Sequence, residues 1–178
     1  MKNIMLDLET MGLGPNAAII AIGAVEFDLE KGKLGRWFYE VVDLESSVQL
    51  GGTIDPSTVL WWMRQSDEAR NQFTYQGAPL TKALADFKNF FLEAGDNCLT
   101  HLWGNGSDFD NVILRSAYVN SGLKAPWLYG NNRCYRTVCS LVPGIKLVRK
   151  GTHHNALEDA RSQAEHLLTV YASMENVE

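Results

Sequence analysis

The chain has 178 residues, 46% hydrophobic, 10% aromatic and 21% charged, an ordinary globular composition whose length fits one domain, residues 1–178. Sixteen Lys and Arg against 21 Asp and Glu give a net charge of −5, which excludes a generic polycationic nucleic-acid coat but not an enzyme that grips a short stretch of strand through metal ions. Three cysteines, Cys98, Cys134 and Cys139, form no CxxC pair and point to a reducing, cytoplasmic setting. The apolar runs are too short for a bilayer, and no signal-peptide pattern precedes the first strand-like segment.

In chain order, Ile4 to Glu9 and Ile19 to Asp28 read as strands, the second largely buried. Lys31-Gly32-Lys33 supplies a turn, and Trp37 to Val42 completes an antiparallel meander. Asp55-Pro56 signals a helix start, with Asp capping and Pro at the first helical position, leading into Val59, Leu60, Trp61, Trp62 and Met63. Pro79 opens a second helix with Leu80, Ala83, Leu84, Phe87, Phe90 and Phe91 at helical spacing, stopped by Gly95. Cys98 to Trp103 reads as a buried strand, Asp108 to Ser121 as a helix ended by Gly122, and Asn155 to Tyr171 as a long last helix. Strands first, then helices alternating with strands, predict an α/β architecture with a mixed sheet.

Three segments carry chemistry. In Ile4-Met5-Leu6-Asp7-Leu8-Glu9 the strand alternation puts Met5, Asp7 and Glu9 on one face. Two carboxylates so placed repel each other, so either a cation sits between them or the strand end reaches water. Thr10-Met11-Gly12-Leu13-Gly14-Pro15 follows as a glycine-bearing loop. Trp103 to Asp110 runs from a buried strand through Gly104-Asn105-Gly106 into a helix, a usual ligand position in open α/β sheets. There Asp108 reads as the helix cap and Asp110 as a first-turn carboxylate suited to the helix dipole. In Gly151 to Ala160, His154 sits just before a helix and Asp159 about one turn in, so both face one cavity if the helix starts near Asn155. A histidine there either caps the helix or, beside carboxylates, takes a proton from water near neutral pH. Zinc is not indicated, since there is no HExxH and no cysteine–histidine pair at finger spacing.

Asp7-Leu8-Glu9-Thr10, then Asn105 to Asp110, then His154 with Asp159 five residues on, resembles the DEDDh class of 3'-5' exonucleases. Trp61 to Ser66 and Trp103 to Gly106 look like its phage and prophage branch, which includes a mycobacterial-type exoribonuclease family. The resemblance implies a ribonuclease-H-like fold, a mixed central β-sheet flanked by α-helices. It implies hydrolysis of single-stranded DNA or RNA from the 3' end to 5'-mononucleotides, with two Mg²⁺ or Mn²⁺ ions as cofactors. Asp7 would bridge the ions, Glu9 and Asp159 would hold one, and Asp110 would serve the other directly or through water. His154 would be the general base. Thr10 would hydrogen-bond the terminal nucleotide, Met11 would pack on it, and Asn105 would supply a backbone or phosphate contact. Arg133, Arg136, Lys146, Arg149 and Lys150 either guide the phosphate backbone or form a solvated face. One of Trp61 and Trp62 stacks on a base or both pack in the core. The partners implied are nucleic-acid 3' ends and a possible homodimeric second copy, with no membrane. The rival readings are a non-catalytic end-binding or protein-binding module and a ribonuclease-H-like endonuclease.

Overall fold

The computed structural model describes residues 2–73, 76–106, 108–151 and 153–175. Three strands, β1 (Lys2–Thr10), β2 (Ile19–Asp28) and β3 (Lys33–Val41), make the expected antiparallel meander. The short α1 (Leu44–Gln49) follows, capped by Asp43, whose carboxylate accepts from the Ser46 N–H at 2.8 Å. Then come α2 (Pro56–Trp62), α3 (Asp67–Asn71) and α4 (Leu80–Ala94). The chain returns to the sheet in β4 (Thr100–Gly104), which lies parallel to β1, and leaves along α5 (Asp110–Asn120). A 3₁₀ turn at Tyr129–Asn131 leads to β5 (Asn132–Cys134), α6 (Tyr135–Cys139) and the long α7 (Ala156–Glu175). The sheet order is β3-β2-β1-β4-β5, mixed as expected.

The alternation along β1 sorts the two layers. Ile4, Leu6 and Leu8 point into a core with Leu84, Phe87, Phe91, Leu102, Ile113 and Leu114, which come from α4, β4 and α5. Met5 points the other way, into a cluster with Val25, Trp103, Ala160, Ala164 and Leu167 beneath α7. β2 is buried along all of its length but Asp28, because both faces of the central sheet are covered. Gly23 then decides where α7 begins. It is the ladder partner of Asp7, and a Cβ there would lie 2.2 Å from the Ala156 carbonyl carbon. Only glycine lets the first turn of α7 lie flat on β2 beside the carboxylate-bearing end of β1.

Several expected bounds shift. The third strand starts at Lys33 rather than Trp37 and ends at Val41. Cys98 and Leu99 are exposed in a turn ahead of β4. Asp108 is exposed and does not cap α5, whose N-cap is Phe109, so the capping role expected of Asp108 is withdrawn. Asp55 does precede α2, but its carboxylate accepts from the Leu13 N–H at 2.8 Å instead of capping the helix. It thereby ties the loop after β1 to α2.

Candidate active site

β1, α5 and α7 bring the expected acidic residues together. β4 pairs with β1 as far as Met5–Trp103. Beyond it the Leu8 N–H donates to Asp110 Oδ1 at 3.1 Å, and the Asn105 N–H donates to Oδ2 at 2.9 Å. Gly104 permits this close start of α5, since a Cβ there would come within 2.6 Å of Asn111 Oδ1. Gln163, one turn after Asp159 on α7, donates from Nε2 to Asp7 Oδ1 at 2.8 Å.

The electrostatics are those of an acidic cluster with too little water. Burial raises the Asp7 carboxyl, and the charges of Asp110, Glu9 and Asp159 raise it further, against the Gln163 hydrogen bond. Glu9 is pushed up to about 8, first by burial and then by Asp159 and Asp110, with Arg149 opposing. Asp110 reaches about 6 through burial, held down by the Asn105 and Leu8 N–H groups. Glu9 is only 6% exposed, so this strand end does not reach bulk water as the simpler reading supposed.

His154 faces the cluster from the α7 side. Its backbone N–H donates to Asp159 Oδ2 at 3.2 Å, and its ring packs edge-to-face on Trp61 and Trp62 at 4.7 and 6.2 Å between centroids. Among the described residues it is the one non-glycine with positive φ, at 61°, a conformation that costs about 1–3 kcal/mol. Burial and the neighbouring His153 lower its pKa, with Asp159 opposing, so the ring is neutral near pH 7 and able to accept a proton. His153 is exposed, its Nδ1 lying 3.4 Å from His154 Nε2.

Ligand atoms of Glu9, His154 and Asp159 lie within 4.8 Å of one another. Glu9 Oε1 is buried with no hydrogen-bond partner. A buried, unpartnered carboxylate oxygen among repelling carboxylates fits a hard divalent cation. Arg149 already bears on this spot, its guanidinium paired with Asp159 Oδ1. The sequence leaves Arg149 as either a phosphate guide or part of a solvated face, and its pairing with Asp159 is not visible there. Gln163 was legible in principle, four residues from Asp159 and therefore on the same helix face.

Beside the cluster lies a cavity of about 410 Å³ whose lining includes Glu9, Thr10, Leu13, Trp61, Trp62 and Phe109. Its apolar walls suit a flat aromatic ring. The Thr10 hydroxyl donates to the Gly12 carbonyl at 2.8 Å, and the Thr10 carbonyl accepts from Trp62 Nε1 at 2.9 Å. Met11 is half-buried and packs against Ile20, Trp62 and Ala69, while Leu13, 71% exposed, stands on the cavity wall. The chain reverses direction here, with the Met11 N–H donating to the Ala18 carbonyl, which turns Met11 inward. Trp62 is buried and Trp61 half-exposed, and both border the cavity. The Asn105 N–H is committed to Asp110, and its carbonyl accepts from Arg136 Nη2 at 2.9 Å. Arg133 donates to the Gly130 and Asn132 carbonyls, Lys150 pairs with Glu165, and Lys146 is exposed.

Residues 2–171 match the family described as the 3'-5' exoribonuclease Rv2179c-like domain. An exodeoxyribonuclease of Enterobacteria phage T4 is 30% identical over 126 residues, taking in 64% of this chain and 54% of the phage protein. The chain thus spans about half the length of that relative. Among solved structures, the nuclease domain of 3'hExo, a DEDDh family member bound to rAMP, superposes with a TM-score of 0.63 at 16% identity. The match covers 98% of this chain and 92% of that one. E. coli Exonuclease I in complex with a dT13 oligonucleotide gives 0.64 at 17% identity, covering 98% of this chain and 41% of that one. At such identities the likeness establishes the fold, the ribonuclease-H-like fold of the DEDDh exonucleases.

Proposed function

The chain belongs to the family of 3'-5' exoribonuclease Rv2179c-like domains, and from that premise we propose that residues 1–178 form one exonuclease domain releasing 5'-mononucleotides from single-stranded 3' ends. The observation that carries the proposal is the convergence of Glu9, His154 and Asp159 within 4.8 Å beside an apolar cavity sized for a nucleobase. Membership of this family implies divalent-metal dependence. Asp7, Glu9, Asp110 and Asp159 are the residues that would hold two Mg²⁺ or Mn²⁺ ions, which when bound stabilise the attacking and leaving oxygens at the phosphodiester.

The chain's own groups supply the rest. The His154 imidazole takes the proton from the attacking water. Trp61, Leu13 and Phe109 enclose the terminal base, and Thr10 stands beside the sugar, its backbone braced by Trp62 Nε1. Gln163 keeps Asp7 oriented through its Oδ1. Arg136 braces the turn that carries Asn105, where the upstream phosphate would approach. A duplex end must fray to reach this site, at roughly 1.4 kcal/mol per base-pair step, so a single-stranded tail is cleaved about tenfold faster than a blunt end for each step opened.

The deciding experiment incubates matched 5'-labelled RNA and DNA oligonucleotides with Mg²⁺ and with EDTA. A ladder shortening from the 3' end with Mg²⁺ alone supports the proposal, and its relative rate on the two polymers assigns the sugar preference. Internal cuts would make the protein a ribonuclease-H-like endonuclease, and no cleavage a binding module. Light scattering in the same buffer distinguishes a monomer from the homodimer that the family resemblance suggests. No helix of the described residues is long and apolar enough to cross a membrane. The three cysteines are free, in keeping with a cytoplasmic setting.

A further inference from the structure

We infer that Gln72, just past the end of α3, is a positioning residue that holds His154 in its working orientation, an inference that rests on the reading of His154 as the proton acceptor. Gln72 Nε2 donates to the His154 carbonyl at 2.6 Å. Its Oε1 accepts from the Tyr39 hydroxyl at 2.9 Å and from Asn155 Nδ2 at 2.7 Å. One side chain therefore joins β3, the residue that caps α7 and the carbonyl of His154 itself. Asn155 meanwhile accepts the Leu157 and Glu158 N–H groups at its Oδ1.

The target of the 2.6 Å bond gives it consequence. His154 holds a left-handed backbone, φ 61°, with no glycine freedom to relieve it. Left to itself the residue would relax to a right-handed or extended conformation, which redirects the Cα–Cβ bond and carries the ring away from Glu9 and Asp159. A donor fixed on the carbonyl opposes that rotation, because the carbonyl swings with the same peptide plane. Phe73, next in sequence, packs edge-to-face on Trp62 at 4.9 Å, and Trp61 backs the imidazole at 4.7 Å. Thus α2 and the end of α3 supply both the wall behind the ring and the clasp on its backbone.

The test is a double-mutant cycle in the full chain under single-turnover conditions, which resolve residual rates. Gln72→Met removes all three bonds at similar length. We expect its cleavage rate to fall about tenfold, with oligonucleotide KM and calorimetric Mn²⁺ affinity within twofold of wild type. Tyr39→Phe, which removes one hydroxyl that orients Gln72, should lower the rate two- to threefold and keeps the test available should Gln72→Met fold poorly. In the His154→Ala background Gln72→Met should change the rate less than twofold, since there is no ring left to position. An NMR comparison of the metal-free proteins should show the Trp61 ring-current shift of the His154 ring protons reduced by Gln72→Met. An unchanged rate, an equal loss with and without His154, or a parallel loss of Mn²⁺ affinity would overturn the inference. Full activity of His154→Ala alone would instead overturn the assignment of His154 as the base.

Discussion

The two halves of the site are built by different means. Asp7, Glu9 and Asp110 stand on β1 and the first residue of α5, where ladder bonds and two backbone donors to Asp110 set their positions. His154 and Arg149 stand on the irregular segment ahead of α7. That segment is held by single side-chain bonds: Lys150 N–H to Ser162 Oγ, His154 N–H to Asp159 and Gln72 Nε2 to the His154 carbonyl, with His166 Nε2 against the Ile145 carbonyl. The first half places charge on a rigid frame, so substitutions there change electrostatics at nearly constant geometry. In the second half a substitution changes the geometry itself.

Asp7→Ala should break the rigid half most completely. Turnover on a 5'-labelled oligonucleotide should fall to background, while melting in EDTA stays at or above the wild-type value because a buried like charge has gone. Wild-type turnover in that variant would remove Asp7 from the metal site. His154→Ala follows in size, with kcat reduced roughly 10²–10⁴-fold and Mn²⁺ affinity largely kept if the carboxylates are the principal ligands. A matching loss of Mn²⁺ affinity would make His154 a ligand. His153→Ala should cost little, since its ring is exposed.

The acidic half should also declare itself in pH dependence. Asp7 is raised, Glu9 stands at about 8 and Asp110 at about 6, so the metal-free folded state holds protons that the unfolded chain has already lost. Stability in EDTA should therefore be greatest near pH 4–5 and fall as pH rises toward 8, by roughly 1.4 kcal/mol for each unit a carboxyl is raised. His154 has a lowered pKa and works the other way, its contribution lost as pH falls through its folded value. Saturating Mg²⁺ should flatten the descending limb in urea titrations between pH 5 and 8.5, and a metal-free protein equally stable across that range would contradict the cluster's electrostatics. A smaller effect than these belongs to Arg149→Gln. Arg149 competes with a cation for Asp159 Oδ1, so calorimetry should show Mn²⁺ binding tightened about fivefold, the equivalent of roughly 1 kcal/mol for a partly exposed pair. Melting in EDTA should fall slightly. Weakened Mn²⁺ binding would mean that Arg149 supports the ion instead.

How far each half could be read follows from the same difference. β1 and β2 are legible because a period of two runs unbroken through Ile4, Leu6 and Leu8, and because nine of the ten β2 positions are buried. α4 is legible from its Phe87, Phe90 and Phe91 spacing between Pro79 and Gly95. α1, α3, β5 and α6 escaped, each being three to six residues long and too short to show a period. The Asp108 cap failed for a related reason. In a loop or at a helix start, side-chain direction depends on what the backbone meets, as in the Met11 N–H bond to Ala18.

By itself the sequence determined the hydrophobic faces and the main α/β order, because strand and helix periods are local properties of the chain, while the ordered set Asp7, Glu9, Asp110, His154 and Asp159 stood out through its resemblance to the DEDDh exonucleases. Only the tertiary structure decided that Gly23 seats α7 against β2, that Arg149 reaches Asp159 and that Gln72 clasps the His154 carbonyl across 82 residues. Such contacts join segments distant in sequence through single side chains, and no periodicity records them. Their positions follow from how the layers pack.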